Sequence, residues 1–124
     1  MEQALAISIG AILGANARYW LGLWLNRTLV TSFPVGTLAV NLSGSLILSL
    51  FMVLATERLS LSPQWRLAIG IGFLGSYTTF STFSYETVQL ASGGSWLPAA
   101  GNVVLSLVGG FAGAWLGGYL GRGL

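Results

Sequence analysis

The sequence predicts an all-α membrane protein with four transmembrane helices in a single membrane domain, residues 1–124. Hydrophobic residues make up 54% of the chain and charged residues only 6%, whereas a soluble domain carries about 25% charged residues. The apolar runs are long enough to cross a bilayer, which takes about 20 residues per helix. A polar stretch with several glycines, residues 70–84, lies inside one run. Because lipid offers such groups no hydrogen-bond partner, it predicts a helix broken within the membrane.

The span boundaries follow from the apolar runs and their flanking residues. The predicted spans cover residues 4–25, 35–55, 65–90 and 97–120. Pro34, Pro63 and Pro98 stand at or just before the starts of the second, third and fourth spans, where proline suits the first helical turn. The tryptophans fall toward span ends, at the level of the lipid headgroups. They are Trp20, Trp24, Trp65, Trp96 and Trp115.

The composition also disfavours several classes of function. The chain has no Cys and no His, which removes disulfides, thiolate chemistry and the commonest metal ligands. The net charge of +2 comes with scattered arginines, so no nucleic-acid partner is indicated. The carboxylates Glu2, Glu57 and Glu86 form no suggestive pair, and no base is available to activate a serine, so an enzyme is disfavoured.

The distribution of the arginines predicts the orientation of the chain in the membrane. Arg58, Arg66 and Arg122 lie on the side that holds the termini, and only Arg27 is clearly in a loop on the other side. The positive-inside rule therefore favours termini in the cytoplasm. So small a difference is compatible with insertion in both orientations.

Glycines at four-residue spacing predict two close helix-packing faces. The face in the fourth span consists of Gly109, Gly113, Gly117 and Gly121. In the first span, Gly10, Gly14 and Gly22 share a face with Arg18, which places this arginine toward protein rather than lipid. An intramembrane cation normally has a partner. Arg18 either attracts anions into a vestibule or pairs structurally with a carboxylate or with carbonyls.

The second span carries a polar stripe of residues four apart, with Gly44 beside it. The stripe consists of Thr37, Asn41, Ser45 and Ser49. The amide donors of Asn41 can solvate an anion without trapping it. The alternative is that the stripe only joins helices through hydrogen bonds.

The third span contains the predicted break. Gly70, Gly72 and Gly75 match the G-x-G-x-x-G fingerprint, but no strand–turn–helix unit surrounds them, so a dinucleotide site is rejected. We expect residues 75–78 to interrupt the helix, which frees backbone carbonyls for a cation and aims a helix N-terminus at the bilayer midplane. A continuous helix with packing glycines is the alternative.

Aromatic and polar residues follow the predicted break. Phe80 and Phe83 share a helix face, where their positive ring edges can contact an anion; otherwise they are core or lipid-facing residues. The surrounding polar residues are Thr79, Ser81, Thr82, Ser84 and Glu86. Glu86 can face Thr82 and is a functional candidate if it lies within the membrane. In the fourth span, Asn102 and Ser106 either complete a polar lining or bond to a neighbour.

Three segments resemble the Fluc (CrcB) fluoride channel family: residues 14–19, 36–42 and 78–86. The likeness covers three of the four spans in order. It implies a four-helix protein that forms an antiparallel, dual-topology homodimer in membrane lipid. It also implies two narrow fluoride pores per dimer and a structural sodium ion at the centre, beside the broken third helices.

The resemblance also assigns roles to individual residues. Phe80 and Phe83 would contact fluoride with their ring edges, and Asn41 would donate to it. A polar track along the pore would be formed by Ser81, Thr82, Ser84 and Glu86. Thr79 and Ser106 are further candidates for the pore lining. The carbonyls of Gly75 and Thr78 would hold sodium, and Arg18 would lie near a vestibule. Two departures from the family pattern are Ser76, where a second glycine is common, and Asn102, where some members have tyrosine.

The resemblance therefore implies a passive channel that exports cytoplasmic fluoride across the bacterial inner (plasma) membrane. A small proton-coupled multidrug exporter is a second hypothesis, but it needs a carboxylate in the first span, and none lies between Glu2 and Glu57. A third hypothesis is an accessory subunit held to a larger partner by its glycine faces.

Overall fold

The regular structure of the chain is entirely helical. The computed structural model describes residues 1–124. The segments are α1 (Glu2–Thr28), α2 (Val35–Val53), the π-helical turn π1 (Leu54–Arg58), α3 (Pro63–Arg66), the π-helix π2 (Leu67–Leu74), α4 (Gly75–Tyr77), α5 (Phe80–Ser92) and α6 (Trp96–Gly123). The predicted all-α class is confirmed. The observed helices extend a few residues beyond several of the predicted span ends.

Three continuous helices are long and apolar enough to cross a membrane: Glu2–Thr28, Val35–Arg58 and Trp96–Gly123. The chain is therefore a multi-pass membrane protein. The predicted third span is not among them because it is split into two halves. We call residues 63–77 the first half and α5 the second half.

The first half packs closely against α1 through glycines. A side chain at Gly10 would collide with the carbonyl oxygen of Ala68, and one at Gly14 would collide with the carbonyl of Phe73. From the other side, a Cβ at Gly72 would lie 2.6 Å from the carbonyl oxygen of Ile7. These contacts confirm the predicted packing role of the glycines at positions 10 and 14.

The glycine face of α6 packs against α2. A Cβ at Gly109 would lie 2.7 Å from Leu42, and one at Gly121 would lie 2.9 Å from Val53. At Gly117 a side chain would collide with the carbonyl of Leu46. The predicted small-residue face is confirmed. It brings two backbones close together in lipid, where van der Waals packing drives helix association.

The interruption of the third span lies at Thr78 and Thr79. Their φ/ψ angles are −84°/158° and −154°/112°, both extended. Residues 75–77 form a helical turn, so the prediction that they belong to the interruption is wrong. The extended angles are open to any residue, and the break needs no glycine of its own. It needs Gly44 on α2, where a side chain would collide with the methyl group of Thr78.

Candidate functional site

The side chain of Asn41 holds the interruption in place. Its Nδ2 donates to the carbonyl oxygen of Thr79 at 2.9 Å, and the Thr79 amide donates back to Asn41 Oδ1 at 2.7 Å. One carboxamide thus pairs both backbone groups of an extended residue that has no helical partners. An unpaired backbone group costs several kcal/mol in lipid. By pairing both groups of Thr79, Asn41 removes this cost and so stabilises the break within a membrane.

The same hydrogen bonds free two backbone carbonyls. In a continuous helix the Thr79 amide would donate to the carbonyl of Gly75, and the Thr82 amide to that of Thr78. Here the Thr79 amide donates to Asn41, and the Thr82 amide donates to Thr79 Oγ1 at 3.1 Å. The carbonyls of Gly75 and Thr78 therefore lose their helical donors, and Gly75 is exposed on the surface of the chain.

Hydroxyl groups cluster at the start of α5. The Thr79 hydroxyl caps the helix by accepting from the Thr82 amide, donates to Thr82 Oγ1 at 2.9 Å, and lies 3.3 Å from Ser81 Oγ. Ser81 is exposed, whereas Thr79 is buried. The N-terminus of α5 adds its partial positive charge here, so the cluster offers donors and a favourable potential to an anion.

A polar cavity of about 280 Å³ lies on one side of Thr79. Its polar lining consists of Tyr19, Arg18, Asn26, Thr37, Thr79 and Thr82. The half-buried Arg18 has no hydrogen-bond or carboxylate partner in the chain. The structural pairing that the sequence left open as one alternative is therefore not formed within the chain, and the vestibule role stays a prediction.

A second cavity, a groove of about 230 Å³, is also bordered by Thr79. Phe80, Phe83, Asn41 and Ser106 line it together with Thr79. The two phenyl rings have centroids 5.5 Å apart and are tilted by 55°. Phe83 is 8% exposed and Phe80 is 75% exposed, so one ring is fixed within the chain and the other stands open at its surface.

Two further predicted residues lie along α5, away from the phenyl pair. Ser84 donates to the carbonyl of Phe80 at 2.9 Å and so is bonded within its own helix. Thr37 donates to Oε1 of Glu86 at 2.9 Å, while Oε2 of Glu86 is buried without a partner. The expected contact between Glu86 and Thr82 is not a hydrogen bond here; the carboxylate is held by α2 instead.

Asn102 joins α6 to α5. It is 1% exposed, and its Nδ2 donates to Thr87 Oγ1 at 2.9 Å. Thr87 in turn donates to the carbonyl of Phe83 at 2.7 Å, and Ser106 lies 3.5 Å from Asn102 Oδ1. Of the two alternatives for Asn102, the structure shows the bond to a neighbour.

Two residues of this region were missed by sequence reasoning. Thr87 links Asn102 to the backbone of Phe83. Asn26 accepts from the Gly36 amide at 3.2 Å and borders the cavity of Arg18. The only signal for Thr87 was its position four residues after Phe83. Asn26 gave no signal, because a polar residue beside an arginine is ordinary at the end of a membrane span.

The chain is similar to known proteins over nearly its whole length. A family model described as CrcB-like protein, Camphor Resistance (CrcB), matches residues 5–118. A protein of Chloroflexus aurantiacus named fluoride-specific ion channel FluC is 48% identical over 122 residues, covering 98% of this chain and 97% of the relative. Proteins with the same name from Roseiflexus sp. and Sulfurihydrogenibium sp. are 52% identical over 114 residues and 44% identical over 122 residues, covering 91% and 98% of each chain.

Proposed function

The chain belongs to the CrcB family of membrane proteins, and we propose that it is a fluoride-selective passive channel. It would export fluoride from the cytoplasm across the inner (plasma) membrane of a bacterium. The relatives that match it are named as ion channels and not as enzymes. One structural observation carries the proposal: a polar cavity and an aromatic groove meet at the buried residue Thr79.

The two compartments offer an anion a graded path. Arg18 draws fluoride into the polar cavity, and the hydroxyl of Thr82, which accepts from Thr79 and keeps its own donor free, replaces part of its water. Beyond Thr79, the remaining N–H of Asn41 and the ring edges of the phenylalanines take over. A fixed cation inside the narrow part would bind so small an anion too tightly to release it, whereas neutral donors and ring edges permit exit.

The other polar residues of α5 and α6 extend this path. Ser81 stands exposed beside Thr79, and Ser106 faces the aromatic groove. Ser84 and Glu86 continue the track along α5 in this proposal. Because Thr37 holds one carboxylate oxygen, the position of Glu86 is coupled to α2.

A second copy of the chain would complete the pore. Phe80 is 75% exposed and Gly75 is exposed, although both belong to the proposed ion sites. An antiparallel homodimer, in which the two copies insert with opposite topology, would cover both residues, and twofold symmetry would give two equivalent pores. The small arginine imbalance across the membrane is consistent with insertion both ways.

A sodium ion fits the freed carbonyls at the break. Hard cations prefer oxygen ligands, and the carbonyls of Gly75 and Thr78 have lost their helical donors to Asn41 and Thr79. In the proposed dimer these carbonyls from both copies would hold the ion. Its charge would stabilise the carbonyl end of the first half of the broken helix, while the chain's own side chains carry the fluoride.

Ion release from liposomes tests the channel directly. The purified protein is reconstituted into liposomes loaded with potassium fluoride or potassium chloride, and valinomycin is added while an ion-selective electrode follows each anion. We expect rapid fluoride release without chloride release. Folded, dimeric protein that releases neither ion would contradict the proposal, and release of both would contradict its selectivity.

A further inference from the structure

Two arginines meet at the end of the molecule that carries both chain termini, far along the helices from the break. Arg58, the last residue of π1, donates from its guanidinium to the main-chain carbonyl of Arg122 near the end of α6. Neither guanidinium forms an ion pair within the chain. Both guanidinium groups therefore remain open to an anion from outside the chain.

A serine hydroxyl points into the same place. A Cβ at Gly118 would lie 3.5 Å from Arg122 Nη1 and 3.5 Å from Ser49 Oγ. The guanidinium therefore lies back over the preceding turn of α6, in the space that the glycine leaves. Ser43 and Ser45 donate to carbonyls four residues earlier, but Ser49 makes no hydrogen bond within the chain, so its donor is free.

The aromatic residues of α6 indicate how deep this place lies in the bilayer. Trp115 and Tyr119 are 72% and 63% exposed, and their rings stack with centroids 5.7 Å apart. Such rings favour the headgroup level. Arg122 follows on the same helix face, at i+7 from the tryptophan, and about 4.5 Å beyond the tyrosine. Because its guanidinium turns back over Gly118, the charge lies at the level of these rings, within the headgroup region that contains the lipid phosphates.

We propose that Arg58, Arg122 and the hydroxyl of Ser49 bind the phosphate of an anionic phospholipid. A guanidinium matches the geometry of phosphate oxygens and forms strong charge-assisted hydrogen bonds with them. The exposed apolar face of α6 provides the surface for the acyl chain, through Val108 and Phe111, which are 64% and 75% exposed. This binding is independent of ion conduction.

Native mass spectrometry of the purified protein tests the site with two lipids of matched acyl chains, phosphatidylglycerol and phosphatidylcholine. With two arginines at the headgroup, we expect a preference of about 30-fold for the anionic lipid. The double variant Arg58→Gln/Arg122→Gln should lose this preference. Arg27→Gln removes one charge from the opposite end of the molecule and should retain it.

Single variants keep the test valid if the double variant does not fold. Arg122→Gln alone should lower the preference about fivefold, and Ser49→Ala should lower anionic-lipid binding without any change of charge. An unchanged preference in the folded variants, or an equal loss in Arg27→Gln, would overturn the proposal. Displacement of the lipid by an equal concentration of inorganic phosphate would overturn it too, since the site would then select a free anion.

Discussion

The two halves of the broken helix are held by different physical means. Residues 63–77 fit against α1 through glycines that let the backbones touch. The second half, α5, is held to α2 and α6 by side-chain hydrogen bonds, from Asn41, Thr37 and Asn102. The first half is fixed mainly by shape, with one side-chain hydrogen bond, between Tyr77 and Ser43 of α2 at 2.9 Å, and it contributes no side chain to either cavity. The second is fixed by polar groups, and the same groups can meet an anion. The first half therefore serves as scaffold and the second half as candidate site, and the boundary between them is at Thr78 and Thr79.

We expect the largest loss of fluoride release from a change at Asn41, which anchors the second half and also lines the proposed anion path. Asn41→Asp keeps the acceptor for the Thr79 amide but sets a carboxylate oxygen against the Thr79 carbonyl, now 2.9 Å from Nδ2. The carboxylate would also repel a fluoride ion in the groove: two negative charges near 4 Å repel by about 4 kcal/mol at an intermediate dielectric constant. Fluoride release from liposomes should fall at least about 100-fold.

Asn16→Asp is the matched control for that substitution. Asn16 is exposed on α1 and bonds only to the Ile12 carbonyl of its own helix, so the new charge lies away from the proposed path. Its fluoride release should stay near that of the wild type. Normal release from Asn41→Asp would remove Asn41 from the pore.

The first half should respond to shape rather than charge. Gly14→Ala places a methyl group against the carbonyl of Phe73, and overpacking of this kind costs about 1–3 kcal/mol. The thermal midpoint of the purified protein should fall. Gly22→Ala on the same helix meets nothing within 4 Å and should leave the midpoint equal or slightly higher, since alanine favours the helix. Equal midpoints would show that the glycine contact does not hold the first half.

The aromatic groove offers a smaller effect, on conduction alone. Phe80→Ile removes a ring edge that stands open at the surface of the chain. Edge-to-face aromatic pairs, which use the same positive ring edge, are worth about 0.5–1.5 kcal/mol, and we take this as the scale of the effect. We expect fluoride release to fall about tenfold with the dimer intact by size-exclusion chromatography. Phe111→Ile is the control, because Phe111 is also 75% exposed but lies on α6 outside the groove. Normal release from Phe80→Ile would count against the ring-edge mechanism.

The same division explains how far the sequence could predict the structure. Glycine faces are local: four-residue spacing on one helix put Gly109 and Gly117 on a common face whatever they contact. The position of the break is not local, because Thr79 is extended only where Asn41, 38 residues earlier, can pair its backbone. The glycines near position 75 suggested an interruption slightly too early. The bond from Thr37 to Glu86 spans 49 residues and left no trace in any periodic pattern.

The smallest effect concerns the anchor between α5 and α6. Asn102→Leu removes the donor to Thr87, but the Thr87 hydroxyl still donates to the carbonyl of Phe83. No buried donor of Thr87 is left unpaired, so the loss of unfolding free energy should be about 1 kcal/mol. Comparison with Thr87→Val and with the double variant measures the coupling of the pair. Additive losses would mean that Asn102 does not hold α5 through Thr87. A clear coupling would show that the second half is anchored from both of its neighbours by hydrogen bonds.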